Sequence, residues 1–167
     1  ISGTRQTVRN SSSGIWRHTA KPTNGRRSER SLPVVNKIAG NRFEAELCGI
    51  LAEHGFWAHN MAQNQAGQPA DIIAVKDGWA VLIDCKLCSG KRFSFARIEP
   101  NQASAMDLWH ACGNRDTWFA VKTPDGEIGM INWRYIKILQ EQGVHSSICK
   151  DHFRLANWLK YWDTGDR

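Results

Sequence analysis

The chain has 167 residues, enough for one domain with a hydrophobic core and a short extension. Hydrophobic residues make up 41% of it, with eight Trp and six Phe, so the composition is that of a globular protein. No apolar run approaches the roughly 18 residues of a membrane span, and five scattered cysteines exclude a dense disulfide scaffold. We therefore expect a cytoplasmic protein with reduced thiols and no membrane partner.

The net charge of +6 is concentrated at the N-terminus. Residues 1–42 hold nine Lys or Arg against a single acid, Glu29, so they carry +8 and the remaining 125 residues carry −2. A basic segment on a near-neutral body favours a polyanion such as nucleic acid, with a solvated tail as the alternative. Because the segment also lacks apolar periodicity, we assign residues 1–31 to a basic, partly flexible arm and residues 32–167 to the folded domain.

The first half of the domain predicts one helix and three strands. A helix is expected over residues 40–55, because Phe43, Leu47 and Leu51 recur at helical spacing before Gly55, a residue type that commonly ends helices. The runs FWAHNM, DIIAV and WAVLIDCKL then predict strands, since they are β-rich and separated by turn residues.

The second half predicts further strands and three helices. RFSFARI favours a strand, and Pro100 marks the boundary before a helix over residues 101–112. TWFAVK and IGMINW, on either side of PDGE, predict a hairpin. YIKILQEQG and FRLANWLKYW predict two closing helices. This order predicts an α/β fold with a mixed central sheet flanked by helices.

The turn between the second and third strands predicts their register. If Asp77 and Gly78 form a two-residue hairpin loop, partner residue numbers sum to 155, and Asp71 faces Asp84. Two carboxylates directly opposite each other repel unless a cation lies between them, and Mg²⁺ prefers such hard oxygen ligands. The alternative is an exposed Asp71 beside an Asp84–Lys86 pair that only neutralises itself.

Two further features point to the same place. Lys86 lies two residues after Asp84 on the strand, so the two side chains share a face of the sheet. Glu44 lies beside Phe43 on the first helix, at the border of its apolar stripe. A solvated helix carboxylate is the simpler interpretation of Glu44 when it is considered by itself.

Taken together, these residues resemble the PD-(D/E)xK nuclease superfamily and, within it, the Holliday junction resolvases of the archaeal and RecU types. GNRFEAELCGILAEHGF is similar to the first helix, with Glu44 at its acidic position, and GQPADIIAV is similar to the second motif, with Asp71 as its aspartate. VLIDCK is similar to the (D/E)xK strand, with Asp84 and Lys86, and EPNQASAMDL is similar to the helix that follows, with Gln102 at a recurring glutamine.

The match is incomplete. It runs from about residue 40 to residue 108, and the C-terminal third matches no motif. Pro69 precedes Asp71 by two residues instead of one. The resemblance implies a restriction-endonuclease-like fold for the domain.

The resemblance also implies the chemistry, which is Mg²⁺-dependent hydrolysis of DNA phosphodiester bonds, with Mn²⁺ able to substitute. The metal would polarise the scissile phosphate and activate a water molecule, and a lysine beside it would orient that water or stabilise developing charge. The implied metal ligands are Asp71, Asp84, the main-chain carbonyl of Cys85 and Glu44. The implied catalytic residues are Glu44, Asp71, Asp84, Lys86 and Gln102, the last positioning the lysine or the phosphate.

The implied substrate is branched DNA, most specifically a four-way junction. Basic residues contact phosphates without reading sequence, as a structure-selective enzyme requires. Symmetric cutting of two opposed strands implies a homodimer. The candidate DNA-binding residues are Arg26, Arg27, Arg30, Lys37, Arg42, Lys91, Arg92 and Arg97.

Three alternatives are open at this point. The chain could be another PD-(D/E)xK endonuclease, acting in restriction, repair or replication. It could be a non-catalytic DNA-binding module on the same fold, although the intact acids and lysine argue against that. The pair Cys85 and Cys88 could instead form part of a zinc or redox site.

Overall fold

The computed structural model describes residues 32–61, 68–149 and 152–165. The predicted arm over residues 1–31, with Arg26, Arg27 and Arg30, lies outside the described residues. Within the described ranges, no helix has both the length and the hydropathy needed to cross a membrane.

The described residues form four α-helices and eight strands. The helices are α1 (Leu32–Glu53), α2 (Pro100–Ala111), α3 (Trp133–Glu141) and α4 (Leu155–Thr164). The strands are β1 (Trp57–Asn60), β2 (Ile72–Lys76), β3 (Trp79–Leu87), β4 (Arg92–Ser94), β5 (Asp116–Lys122), β6 (Ile128–Asn132), β7 (Ser146–Ile148) and β8 (Phe153–Arg154). A short 3₁₀ helix, Phe95–Arg97, follows β4.

Six strands form one mixed sheet in the order β1-β2-β3-β5-β6-β8. Only β3 and β5 are parallel among its strand pairs in the described chain, and α2 lies between them in sequence, as a parallel crossover requires. The strands β4 and β7 form a separate two-stranded sheet. The predicted mixed central sheet flanked by helices is confirmed.

The β2–β3 hairpin has the predicted register. Asp77 and Gly78 both have positive φ, 51° and 78°, as a two-residue type I′ loop requires. Lys76 therefore pairs with Trp79, and the pairing continues to Ile72 and Ile83. Asp71 directly precedes Ile72 and Asp84 directly follows Ile83, so both lie where this ladder ends.

The sheet has a hydrophobic cluster on each face. One cluster packs against α1 and α4 and includes Phe43, Leu51, Ile83 and Trp158. The other packs against α2 and α3 and includes Leu82, Phe93, Phe119, Met106 and Ile136. Alternate residues of β3 therefore enter different clusters, which fixes the face on which each of its polar side chains lies.

Three elements differ from the sequence-based expectation. The first helix begins at Leu32, well before the apolar stripe that predicted it. RFSFARI forms only a three-residue strand followed by a 3₁₀ turn, because β4 pairs with β7 outside the main sheet. No pattern of residues predicted β7, whose three residues are only half-buried.

Candidate active site

Asp84 and Lys86 lie on the face of β3 that packs toward α2. Asp84 is completely buried, and Lys86 Nζ lies 2.6 Å from Asp84 Oδ1, an ion pair. The ammonium also donates a hydrogen bond of 3.0 Å to Gln102 Oε1 on α2. The lysine is therefore held between the acid of its own strand and an amide from the crossover helix.

Asp71 lies directly before β2 and is held by backbone contacts to β3. Its N–H donates to the Ile83 carbonyl at 3.1 Å, at the point where the hairpin ladder ends with the pair Ile72 and Ile83. Its Oδ2 accepts a hydrogen bond of 2.6 Å from the Cys85 N–H, and its Oδ1 accepts one from Gln68 Nε2. The Asp71 carboxylate is thus fixed beside the main chain that joins Asp84 to Lys86.

Glu44 approaches from α1 and is 8% exposed. Its Oε2 accepts a hydrogen bond of 3.3 Å from Asn60 Nδ2, at the end of β1. Burial, and then the negative charge of Asp71, raise the pKa of the Glu44 carboxyl, whereas Asn60 and Lys86 act in the opposite direction. Glu44 and Asp71 therefore belong to one electrostatic group, and Glu44 is not a solvated helix carboxylate.

Burial dominates the electrostatics of Asp84. It raises the pKa of the Asp84 carboxyl to about 7, with Lys86 opposing the shift and Asp71 adding to it. Apart from the Lys86 ammonium, which lies 2.6 Å from Oδ1, the Asp84 oxygens have no polar partner among the described residues. Oxygens in this state are available to a further cation.

Gln102 has two roles in the described contacts. Its Oε1 accepts the Lys86 hydrogen bond and a second one of 3.1 Å from the Glu99 N–H. The Glu99 side chain in turn accepts from the backbone at Gln102, so the two residues form a capping box that starts α2. The side-chain amide of Gln102 therefore both caps the start of α2 and positions Lys86.

The sequence of this chain matches a known protein family. The family model described as "Archaeal holliday junction resolvase (hjc)" matches residues 35–152, which is most of the chain. The chain belongs to the archaeal Holliday junction resolvase family. It is a nuclease of that family, and the function and family predicted from the sequence are confirmed.

One solved structure is similar to the resolvase described here. It is Hjc, a Holliday junction resolvase from the archaeal hyperthermophile Archaeoglobus fulgidus, with 21% sequence identity and a TM-score of 0.47. The alignment covers 57% of this chain and 74% of the Archaeoglobus chain. No curated protein matches the sequence significantly.

The candidate DNA-binding residues of the resolvase are spread over two regions of the described chain. Lys37 and Arg42 are exposed on α1, the helix that carries Glu44. Lys91 is exposed next to β4, Arg92 donates to the Ser146 hydroxyl, and Arg97 donates to the Leu87 carbonyl at 2.6 Å. Arg97 thereby binds the last residue of β3, the strand that carries Lys86.

The two cysteines of the C-x-x-C motif lie in different clusters. Cys85 packs on the α1 side of the sheet and Cys88 on the α2 side, because residues three apart on a strand point to opposite faces. Cys88 Sγ lies instead 4.0 Å from Cys149 Sγ. The hypothesis of a shared zinc or redox site for Cys85 and Cys88 is wrong on this geometry.

Asn60 and Gln68 were missed by the sequence analysis. Each holds a site carboxylate, Glu44 and Asp71 respectively, and Asn101 donates a further bond of 3.2 Å to the Gln68 carbonyl. The hairpin register could have suggested Asn60, because β1 pairs with β2 so that residue 60 faces Ile72, next to Asp71. No comparable signal marks Gln68.

Proposed function

We propose that this resolvase is a Mg²⁺-dependent, structure-selective endonuclease that cuts four-way DNA junctions with Asp71, Asp84, Glu44, Lys86 and Gln102. The observation that supports the proposal most strongly is Asp84, a fully buried carboxylate that is paired with Lys86 and is followed by Cys85, whose N–H donates to Asp71. A buried charge of this kind is costly unless it serves a site.

The residues present fit a divalent cation. Glu44, Asp71 and Asp84 interact electrostatically with one another or with Lys86, the single ammonium of the group, and in the described chain the Asp84 oxygens have no polar partner other than that ammonium. Within those residues, no group of three or more His, Cys, Asp and Glu side chains is arranged as a complete metal site. This fits Mg²⁺, which is commonly held by one or two carboxylates and completes its shell with water and phosphate.

The proposed ligands are Asp71, Asp84 and the main-chain carbonyl of Cys85, with Glu44 acting directly or through water. Mg²⁺, when bound, supplies Lewis-acid polarisation of the scissile phosphate, and Mn²⁺ would substitute. The Cys85 N–H holds Asp71, so the same peptide segment orients one acid and offers a carbonyl.

Lys86 is proposed to orient the attacking water and to stabilise negative charge that develops on the phosphate. Its ammonium is kept in place by Asp84 and Gln102, which limits its rotamers and keeps it at the site before DNA arrives. Gln102 therefore acts as a positioning residue, because its contact is to the lysine.

We also propose that the resolvase acts as a homodimer, since two opposed strands of a four-way junction require two sites related by a two-fold axis. Exposed aromatic side chains support a contact between copies at one side of the molecule. Tyr135 and Phe153 are 47% and 53% exposed, and Phe153 packs edge-on against Trp118. Sedimentation velocity would test the dimer directly.

The proposed function is tested by cleavage of a synthetic four-way junction and a linear duplex, each with and without Mg²⁺. We expect strand cuts in the junction only when Mg²⁺ is present, and no cuts with the Asp84→Asn variant as the matched control. Equal cleavage of the linear duplex would contradict junction selectivity, and binding without cleavage in Mg²⁺ or Mn²⁺ would favour a non-catalytic module.

The N-terminal arm is proposed to contact phosphates. Removal of residues 1–30 deletes seven Lys or Arg, and each lost phosphate contact should lower the log–log salt slope of DNA binding by about 0.9. The measurement is junction affinity between low and moderate salt for the full and truncated chains. An unchanged slope would show that the arm does not touch the DNA.

A further inference from the structure

The edge strand β1 carries two exposed aromatic rings that neither hydrophobic cluster uses. Trp57 is 62% exposed and His59 is also exposed. Their rings are stacked, with centroids 6.0 Å apart and an angle of 11° between planes. A Trp exposed to this degree leaves a large apolar surface in water, so a partner surface for it is expected.

The strand register places both rings on the face that carries Asp84 and Lys86. Trp57 pairs with Val75 and His59 with Ile73 on β2. Ile73 in turn pairs with Leu82 on β3, two residues before Asp84 and on the same face. The rings and the candidate active site therefore share one side of the sheet.

His59 lies nearer to the site than Trp57, because His59 is level with Leu82 on β3 whereas Trp57 is level with Ala80, four residues before Asp84. Adjacent strands are about 4.8 Å apart, so β1 is about 10 Å from β3 across the sheet. The N–H of Met61, two residues after His59, donates to the Asp71 carbonyl at 2.7 Å. A DNA strand that has one phosphate at Asp71 and Asp84 and runs over the sheet toward β1 would pass over His59 first and then over Trp57.

We propose that Trp57 and His59 form a stacking platform for a nucleobase that is unstacked at the branch point of the DNA. The inference rests on the proposed function, because it assumes that the DNA is cut at the acid cluster. Flat aromatic rings stack on any base without reading sequence, and each stacked base contributes about 1–3 kcal/mol. Bases within a linear duplex are already stacked and would gain nothing, so the platform would favour branched over linear DNA.

The test is the affinity of the metal-free protein, in EDTA, for a four-way junction and for a linear duplex of the same sequence. We expect Trp57→Ala to weaken junction binding about ten- to hundredfold, the equivalent of one stacked base. Duplex binding should change much less, and the salt slope should stay the same because no phosphate contact is removed. His59→Ala should weaken junction binding less, and Trp57→Phe should retain most of the affinity.

Trp79→Ala is the matched control. Trp79 is also exposed, at 43%, but its pairing with Lys76 places it on the α1 face of the β2–β3 hairpin. Its removal should leave the ratio of junction to duplex affinity unchanged. Thermal unfolding of each variant confirms that the comparison is made between folded proteins.

Several results would overturn the inference. Parental junction affinity in Trp57→Ala would show that the ring does not touch DNA, and equal losses for junction and duplex would remove its role in selectivity. Conversion of a dimer to monomers by Trp57→Ala, seen by sedimentation velocity, would make the rings a contact between copies. Junction cleavage by the parental protein in Mg²⁺ is measured separately, so failure of the platform alone is distinguished from failure of the proposed function.

Discussion

The two faces of the central sheet are built for different purposes. The face under α1 and α4 is closed by apolar side chains, among them Leu47, Leu51 and Ile83, all completely buried. The face under α2 carries a buried charge, Asp84, one residue away from Ile83 on the same strand. Because strand side chains alternate, β3 places one set of residues in the apolar core under α1 and the other set, with Asp84 and Lys86, on the face for which we propose the chemistry.

The difference has a thermodynamic consequence. Burying Ile83 removes apolar surface from water and stabilises the fold, whereas burying the ionised Asp84 opposes folding. Lys86 offsets part of that cost through the 2.6 Å ion pair. An apolar core residue under α1 should therefore affect stability and leave cleavage unchanged, whereas replacement of Asp84 should have its largest effect on cleavage.

Among these variants, Asp84→Asn should have the largest effect on junction cleavage. Asparagine keeps the shape but removes the charge, so we expect junction cleavage to fall by more than about a thousandfold, beyond the loss of one electrostatic donor. Junction binding should persist or tighten, because a carboxylate that repels phosphate is gone. Cleavage is measured under single-turnover conditions and binding in EDTA. Joint loss of binding and cleavage would mean that Asp84 has a structural role.

Leu51→Ala tests the opposite face. Truncation of this fully buried leucine should lower the free energy of unfolding by about 2–5 kcal/mol. The rate of cleavage by folded protein should be unaffected at a temperature where the variant is fully native. Urea unfolding gives the first quantity and single-turnover cleavage the second. A large fall in cleavage by the native variant would show that the two faces are coupled.

The hairpin was predictable from the sequence because its signals are local. Asp77 and Gly78 specify a two-residue turn, the turn fixes the register, and the register brings Ile72, next to Asp71, opposite Ile83, next to Asp84. The Lys86–Gln102 contact followed from family resemblance, and the capping box at Glu99 explains why the glutamine lies there.

Other parts of the structure depend on contacts that are distant in sequence. The pairing of β4 with β7 joins segments about 50 residues apart, and two three-residue strands carry little periodicity. Gln68 holds the Asp71 carboxylate through a side-chain contact that no spacing rule specifies. The apolar stripe located the first helix but not its start, since the helix extends to Leu32 ahead of that stripe.

A smaller effect is expected in the pH dependence of the free energy of unfolding, because Asp84 is a buried acid. The pKa of Asp84 is raised from its usual 3.8 to about 7, so its contribution to stability is fully present below about pH 4 and is lost as the pH rises through 7. In EDTA, the parental protein should therefore lose stability relative to Asp84→Asn between pH 4 and pH 8.

Urea unfolding of both proteins at pH 5 and pH 8 measures this difference. Addition of Mg²⁺ at pH 8 should stabilise the parental protein and leave Asp84→Asn unchanged. A gap between the two proteins that is the same at both pH values would show that Asp84 titrates normally.

The central claim is that Asp84 binds the metal whereas Lys86 works beside it. The most direct measurement compares Asp84→Asn with Lys86→Ala at pH 8.5, by single-turnover cleavage of a four-way junction and by Mn²⁺ affinity determined separately. Lys86→Ala should keep Mn²⁺ affinity while its cleavage rate falls about a hundred- to thousandfold, and Asp84→Asn should lose both. Parental cleavage rates in both variants would contradict the account and leave Asp84 and Lys86 as a structural ion pair.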